Sequence, residues 1–265
     1  MAFTSLIAAS TLFAAAVVAD SPSCSSNSPV SCSSNNIQST CCTETQGQVV
    51  SVQLWDTNPA TGPADHWTIH GLWPDACDGS YSQFCDSSRQ TNNIACIISQ
   101  SGDNDLLNDM NTYWLDQKGD NENFWDHEWN KHGTCYSTLN PSCFPNYSQQ
   151  EDVVAFFRQA VNQFKSIDTY SILSSAGITP SSSQTYSQSD IISALSSARD
   201  GYAPVLSCSK GALYQVAYTF NVQGSVADGQ FFPADPNGEN GNCPDQIRYL
   251  PKQLGTEPQA TSGYC

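Results

Sequence analysis

The chain has 265 residues, of which 25 are Asp or Glu and only 9 are Lys or Arg, for a formal net charge of −16 at pH 7. That balance excludes a general nucleic-acid-coating surface, whose affinity comes from basic groups that displace counterions from phosphates. Any work on an anionic polymer must pass through a short local site, favoured in acid, where carboxylates begin to protonate and histidines charge.

Residues 1–19 form an apolar run that ends in the small-residue pattern Val17-Val18-Ala19. It reads as a signal peptide, although its first residues carry no Lys or Arg, and it is too short to cross a bilayer. No later segment is apolar for long enough to span. The remainder, residues 20–265, is therefore expected to be a soluble secreted protein, extracellular or in a vacuole-like compartment, with no membrane partner. Neither an internal repeat nor a long linker divides it, so one domain is expected. All 12 cysteines follow residue 19, and an even number behind a signal peptide points to disulfides. Their irregular spacing, without paired C-x-x-C knuckles, argues against a zinc cluster. Asn146-Tyr147-Ser148 is a glycosylation sequon, which fits the secretory route.

Residues 48–54 (Q-V-V-S-V-Q-L) alternate with a β-branched bias and read as a strand. Residues 66–72, after a turn at Pro59 to Pro63, read as another, and both are expected to be central in a sheet. Residues 105–117 place Leu106, Leu107, Met110, Tyr113 and Trp114 at helical spacing, ended by Gly119. Ser148 to Glu151 is a capping-box signature that opens a helix with Val153, Val154, Phe157, Ala160, Val161 and Phe164 on its apolar face. A further helix is expected over about 189–198, stopped by Gly201 and Pro204. Residues 212–222 form an aromatic and β-branched strand, with short strands at Phe231-Phe232 and 248–250. The tail from Pro251 is polar and irregular, so its fixation falls to Cys265. The mixture indicates an α+β fold: a single disulfide-rich domain whose central, mainly antiparallel sheet is flanked by helices.

The chain has 4 histidines, gathered at two short windows, with His66 directly before the first. In the second, Phe124 to Gly133, a helix at about 100° per residue places His127, Lys131, Glu128 and His132 at roughly 0°, 40°, 100° and 140°. Two imidazoles, an ammonium and a carboxylate thus share one arc. Trp125 and Trp129 lie near 160° to 200° and can bury themselves, locking the helix, with Gly133 as its stop. A zinc protease would need H-E-x-x-H, with imidazoles four residues apart on one face, and His127 and His132 do not have that spacing. In the first window, Trp67 to Pro74, strand alternation puts Thr68, His70 and Leu72 on one face and Trp67 and Ile69 on the other.

The segments W-T-I-H-G-L-W-P-D (Trp67 to Asp75) and F-W-D-H-E-W-N-K-H-G-T-C (Phe124 to Cys135) resemble, in order and throughout, the two signature segments of the ribonuclease T2 family, closest to its secreted fungal members. The resemblance implies a metal-independent acid endoribonuclease without cofactors, acting as a monomer on single-stranded RNA with low base specificity. It makes His132 the general base, His70 the general acid and His127 a phosphate ligand, with Glu128 and Lys131 stabilising the pentacovalent species. Trp73, Asp75 and Tyr81 resemble the pocket for the base 5′ to the cut, and Phe124 lines the second pocket. Asp75 would favour a base that presents an amino group, hence adenine. His66 departs from the signature and receives no role.

The fungal pattern further implies disulfides Cys24–Cys42, Cys32–Cys77, Cys41–Cys143, Cys85–Cys135 and Cys208–Cys243. Cys96 and Cys265 then remain, as a sixth bond or as two free thiols. The competing reading is a catalytically weak relative that acts as a secreted binding or toxin-like protein.

Overall fold

The structure, a computed structural model, describes residues 24–33, 37, 39–238, 240–258 and 265. The expected leader at residues 1–19 lies outside them. A seven-stranded sheet is formed by β1 (Gly47–Leu54), β2 (Thr68–Ala76), β3 (Thr185–Ser187), β4 (Val205–Ser209), β5 (Ala212–Gln223), β6 (Gln230–Pro233) and β7 (Gln246–Arg248). The order β2-β1-β5-β7-β3 is antiparallel throughout except between β5 and β7, and β4 and β6 also pair with β5.

Strand β1 is central, between β2 and β5, whereas β2 ends the sheet instead of lying within it. An edge strand must have its free side covered or interrupted. Here helix α3 (Asn121–Lys131) stands beside β2, since Glu128 reaches both Gly71 and Trp73.

The other helices are α1 (Ile94–Ser101), α2 (Asn104–Tyr113), α4 (Glu151–Ser166), α5 (Thr169–Ser175) and α6 (Gln188–Ser197). The main core lies on one face of the sheet, where Val49, Ile69, Leu72, Tyr218 and Phe220 meet the aromatic residues Trp125, Trp129, Phe156 and Phe157. The opposite face carries only a small cluster, Val50, Val52, Val205 and Ala217, with Trp73 packed on it. That thinly covered face is where His70 and His132 meet Trp73.

Helix α2 stops at Tyr113, short of the expected residue 117, because Trp114 leaves the helix to be fully buried against Phe157, with its carbonyl accepting from Trp125 Nε1 (2.8 Å). At the start of α4 only half of the capping box forms. Ser148 N–H donates to Glu151 (2.9 Å), but the cap residue is Gln150 in a left-handed conformation. The last strand covers residues 246–248, two earlier than the sequence pattern indicates, because Tyr249 turns into the core.

Six disulfides staple the fold, Cys24–Cys42, Cys32–Cys77, Cys41–Cys143, Cys85–Cys135, Cys96–Cys265 and Cys208–Cys243. The tail has a second anchor besides Cys265. The buried Lys252 ammonium donates to the carbonyls of Thr61, Pro63 and His66 (2.6, 2.8 and 2.7 Å).

Candidate active site

The site is assembled where β2 bulges against α3. Val52 pairs with Gly71 and Gln53 with Ile69, so His70 is the extra residue of a β-bulge. A bulge resets the alternation of a strand. Its effect is to turn Leu72 into the main core while His70 and Trp73 share the opposite face, their rings 4.8 Å apart edge to face. Strict alternation, which groups His70 with Leu72, fails at this residue for that reason.

Helix α3 is opened by the Asp120 carboxylate, which accepts from Asn123 N–H (3.3 Å). It is locked by its two tryptophans. Trp125 Nε1 donates to the Trp114 carbonyl (2.8 Å) and Trp129 Nε1 to the Arg89 carbonyl (2.9 Å), with both rings fully buried. His132 caps the helix, and Gly133 begins a single 3-10 turn (Gly133–Cys135). Gly133 follows the cap as the expected stop, and close packing requires it as well. A Cβ there would lie 2.2 Å from the Trp129 ring, so glycine lets the turn close on the indole.

The indole of Trp73 organises the centre. Its N–H donates to Glu128 Oε2 (2.9 Å), His132 stacks on it at 5.1 Å with 17° between the planes, and His70 meets it edge-on. Glu128 Oε1 lies 3.8 Å from His70 Nε2. Gly71 makes this approach possible, because a Cβ there would sit 2.0 Å from Glu128 Oε2. Gln215 on β5 holds the other side of His70, its amide oxygen 3.2 Å from Nδ1. That partner accepts, which places a proton on Nδ1 and turns Nε2 toward the centre. His132 Nε2 is buried and has no hydrogen-bond partner among the described residues.

Burial decides the charges. It pushes the fully buried Glu128 carboxyl up to about 8, against the opposing pull of the Trp73 hydrogen bond and the Lys131 charge. Burial likewise lowers His70 to about 4 and His132 to about 3, with Lys131 adding to both shifts, and it lowers the more exposed His127. The unliganded centre thus holds a neutral carboxyl and neutral imidazoles over most of the acid range, under the field of one ammonium.

Of the residues singled out from the sequence, His70, Trp73, Glu128 and His132 are in direct contact. Lys131 acts on His70, Glu128 and His132 through its charge, and Phe124 lies 5.7 Å from the His70 ring. His127 sits at the exposed rim, its ring 6.2 Å from Phe84. Asp75 and Tyr81 face each other through a backbone bridge beyond Trp73, with Tyr81 66% exposed. Asn146 is exposed. His66 lies apart, paired with Asp65 and against Tyr113.

The family model described as the Ribonuclease T2 family matches residues 30–229. The chain belongs to the ribonuclease T2 family. It is 49% identical over 234 residues to ribonuclease Trv of Hypocrea rufa, covering 88% of this chain and 100% of that one. It is 46% identical to ribonuclease T2 of Aspergillus oryzae, covering 91% of this chain and 88% of the other. Among solved structures, Actibind, described as a T2 ribonuclease, superimposes with a TM-score of 0.84 at 48% identity, over 87% of this chain and 98% of its own. Human RNase T2 matches at 26% identity with a TM-score of 0.55, over 77% and 98%.

This ribonuclease is thus an RNA-cleaving enzyme, and three of its site residues escape sequence reasoning. Gln215 stands on a strand whose face could be read but whose neighbour could not. Gly71 passes for a strand glycine. Phe84 adjoins Cys85, whose bond to Cys135 and the hydrogen bond from Phe84 N–H to the Lys131 carbonyl (2.9 Å) bring it beside α3.

Proposed function

We propose that the chain is a secreted endoribonuclease that cuts single-stranded RNA through its own 2′-hydroxyl, with His132 as base and His70 as acid. The observation that carries this reading is the pair of imidazoles arranged around one indole, His132 stacked and His70 edge-on, with His132 Nε2 lacking a hydrogen-bond partner among the described residues. His132 Nε2 takes the 2′-OH proton as the 2′-oxygen attacks phosphorus. The bond from phosphorus to the 5′-oxygen breaks, and the charged, doubly protonated His70 gives its Nε2 proton to that oxygen while Nδ1–H stays on Gln215. A 2′,3′-cyclic phosphate results, and water then opens it to a 3′-phosphate. Lys131 and His127 hold the phosphate oxygens, and Glu128 faces the charge that His70 carries before it gives up its proton and the charge that develops at phosphorus.

The nucleophile is already attached to the substrate, so the reaction requires no metal. DNA, which lacks the 2′-hydroxyl, is not a substrate. The base on the 5′ side lies between Trp73, Asp75 and Tyr81. One face of Trp73 is taken by His132, so the open Tyr81 ring offers most of the stacking surface, with Asp75 beside it favouring adenine. Phe124 lines the pocket for the following base. The enzyme acts as a monomer, leaves the cell through the leader at residues 1–19 and carries a glycan at Asn146.

The test is digestion of homopolymer RNAs across pH 3 to 8 with chelator present, for the wild type and His132→Phe. Cleavage is expected to persist in chelator, to peak on the acid side, where His70 can still be charged and His132 is neutral, and to vanish in the variant. Loss of cleavage in chelator, cleavage of a 2′-deoxy substrate, or an active His132→Phe would each refute the mechanism.

A further inference from the structure

With 9 Lys and Arg in the whole chain, the position of each cation is informative. Arg89, Arg158 and Lys165 are paired with Asp152, Asp103 and Asp109. Arg199 is buried over the Tyr218 and Phe220 rings, and Lys252 is consumed by its three carbonyls. Four cations remain without an ion pair among the described residues: Lys118, Lys131, Lys210 and Arg248.

Their distribution is not even. Lys131 stands in the catalytic centre. Lys210 and Arg248 line a groove of about 730 Å³, and Lys118 follows the groove residues Asp116 and Gln117 in the chain. Phe124, whose ring lies 5.7 Å from that of His70, also lines this groove, so the groove and the catalytic centre share that ring.

The basic end is a built feature. Arg248 N–H donates to the Gly211 carbonyl (3.0 Å) and its guanidinium to the Lys210 carbonyl, which fixes the β4–β5 turn that carries Lys210. The guanidinium keeps further N–H groups for a ligand, and the Lys210 ammonium keeps all of its own. The two carboxylates in the groove are already engaged. Asp56 accepts from Thr61 and Gln117 (3.0 Å each), and Asp116 from the N–H groups of Lys118 and Asp120 (2.8 and 3.1 Å).

We propose that Lys210 and Arg248 form a second phosphate-binding subsite, which holds the phosphodiester after the scissile one along the bound RNA strand. The inference rests on the reading of the centre as the place of cleavage, and it explains how so acidic a protein holds a polyanion. A strand that enters past Phe124 stacks its downstream base on Phe124 and Tyr214, and its next phosphate meets the only free pair of adjacent cations among the described residues.

The experiment uses short substrates whose single 2′-hydroxyl adjoins the first phosphate, so that only one bond can be cut. One ends after the next nucleoside, and the other continues through a second phosphodiester. Wild type, Lys210→Ala and Arg248→Gln are compared by kcat/KM. The second phosphate is expected to raise the wild-type value about tenfold, and each variant to lose most of that gain while cutting the one-phosphate substrate at the wild-type rate. On homopolymer RNA, the slope of log(kcat/KM) against log salt should become shallower by about 0.7, the share of one phosphate contact on a single strand. An equal gain in wild type and variants, or a variant that slows both substrates alike, overturns the subsite and leaves the catalytic reading standing. A wild type that cuts neither substrate overturns that reading, and the subsite with it.

Discussion

Replacing Glu128 by Gln should make the enzyme more stable, by an amount that depends on pH. The carboxyl is 1% exposed, accepts from Trp73 Nε1 and titrates near 8 in the fold. An unfolded chain returns it to about 4.5. A group with a raised folded value contributes its full share of stability below the unfolded value and loses it as pH climbs toward the folded one. Between pH 4.5 and pH 7 the unfolded state sheds its proton while the folded state keeps it. That span, at ~1.36 kcal/mol per pH unit, costs the wild type ~3 kcal/mol.

Gln has nearly the same shape, keeps an oxygen for the Trp73 N–H and has nothing to ionise. The difference in unfolding free energy between Glu128→Gln and wild type should therefore grow by ~3 kcal/mol from pH 4.5 to pH 7. It should level off above pH 8, where both states of the wild type are ionised. Other groups titrate in the same range, but they do so in both proteins and cancel in the difference. Urea unfolding followed by circular dichroism at four pH values, with the disulfides intact, measures it. A difference independent of pH would show that Glu128 is ionised in the fold and would remove the neutral carboxyl from the description of the site.

Two further substitutions test the frame around it. Gly71→Ala puts a methyl group 2.0 Å from Glu128 Oε2 and 2.7 Å from Trp73 Nε1, so it should lower kcat by at least about a hundredfold, with a stability loss of ~2 kcal/mol from overpacking. Steady-state kinetics with a stability control checks this, and a fully active alanine variant would deny Gly71 its part in the site. Glu44→Ala removes the buried carboxylate that accepts from the N–H and hydroxyl groups of both Ser137 and Thr138 (3.0–3.2 Å), and chemical denaturation should show a loss of about 3 kcal/mol. Glu44→Gln should lose less, because it still accepts at one oxygen. An alanine variant as stable as wild type would mean that water replaces the carboxylate without cost.

Much of the fold is legible in the sequence because its signals are local. The long helix from 151 and the strands at 47–54 and 212–223 carry their periods within a single element, and they are found where the pattern puts them. Helix α1 and strand β4 are too short to display a period of their own. Phe156, off the apolar stripe read from α4, is fully buried because Trp129 and Tyr136 approach from the side. Glu44 illustrates the same limit, since a glutamate in a Thr- and Gln-rich stretch reads as surface until Ser137 and Thr138 are seen to enclose it.

The site divides along the same line. The helical arc is a local property, and it brings His127, Glu128, Lys131 and His132 to one side as the spacing demands. The arc cannot say which of its members is buried, because that depends on β2. Glu128 and His132 are drawn under Trp73 while His127 stays at the rim, and this follows from a bulge at His70 and a missing side chain at Gly71, neither of which has a periodic signature. Burial where the two elements meet is also what sets the protonation of the carboxyl and both inner imidazoles. The chemistry of the centre is therefore a property of the contact between the two windows, and substitutions at Gly71 or Trp73, which hold no proton of the reaction, should move its pH dependence as far as substitutions at the histidines themselves.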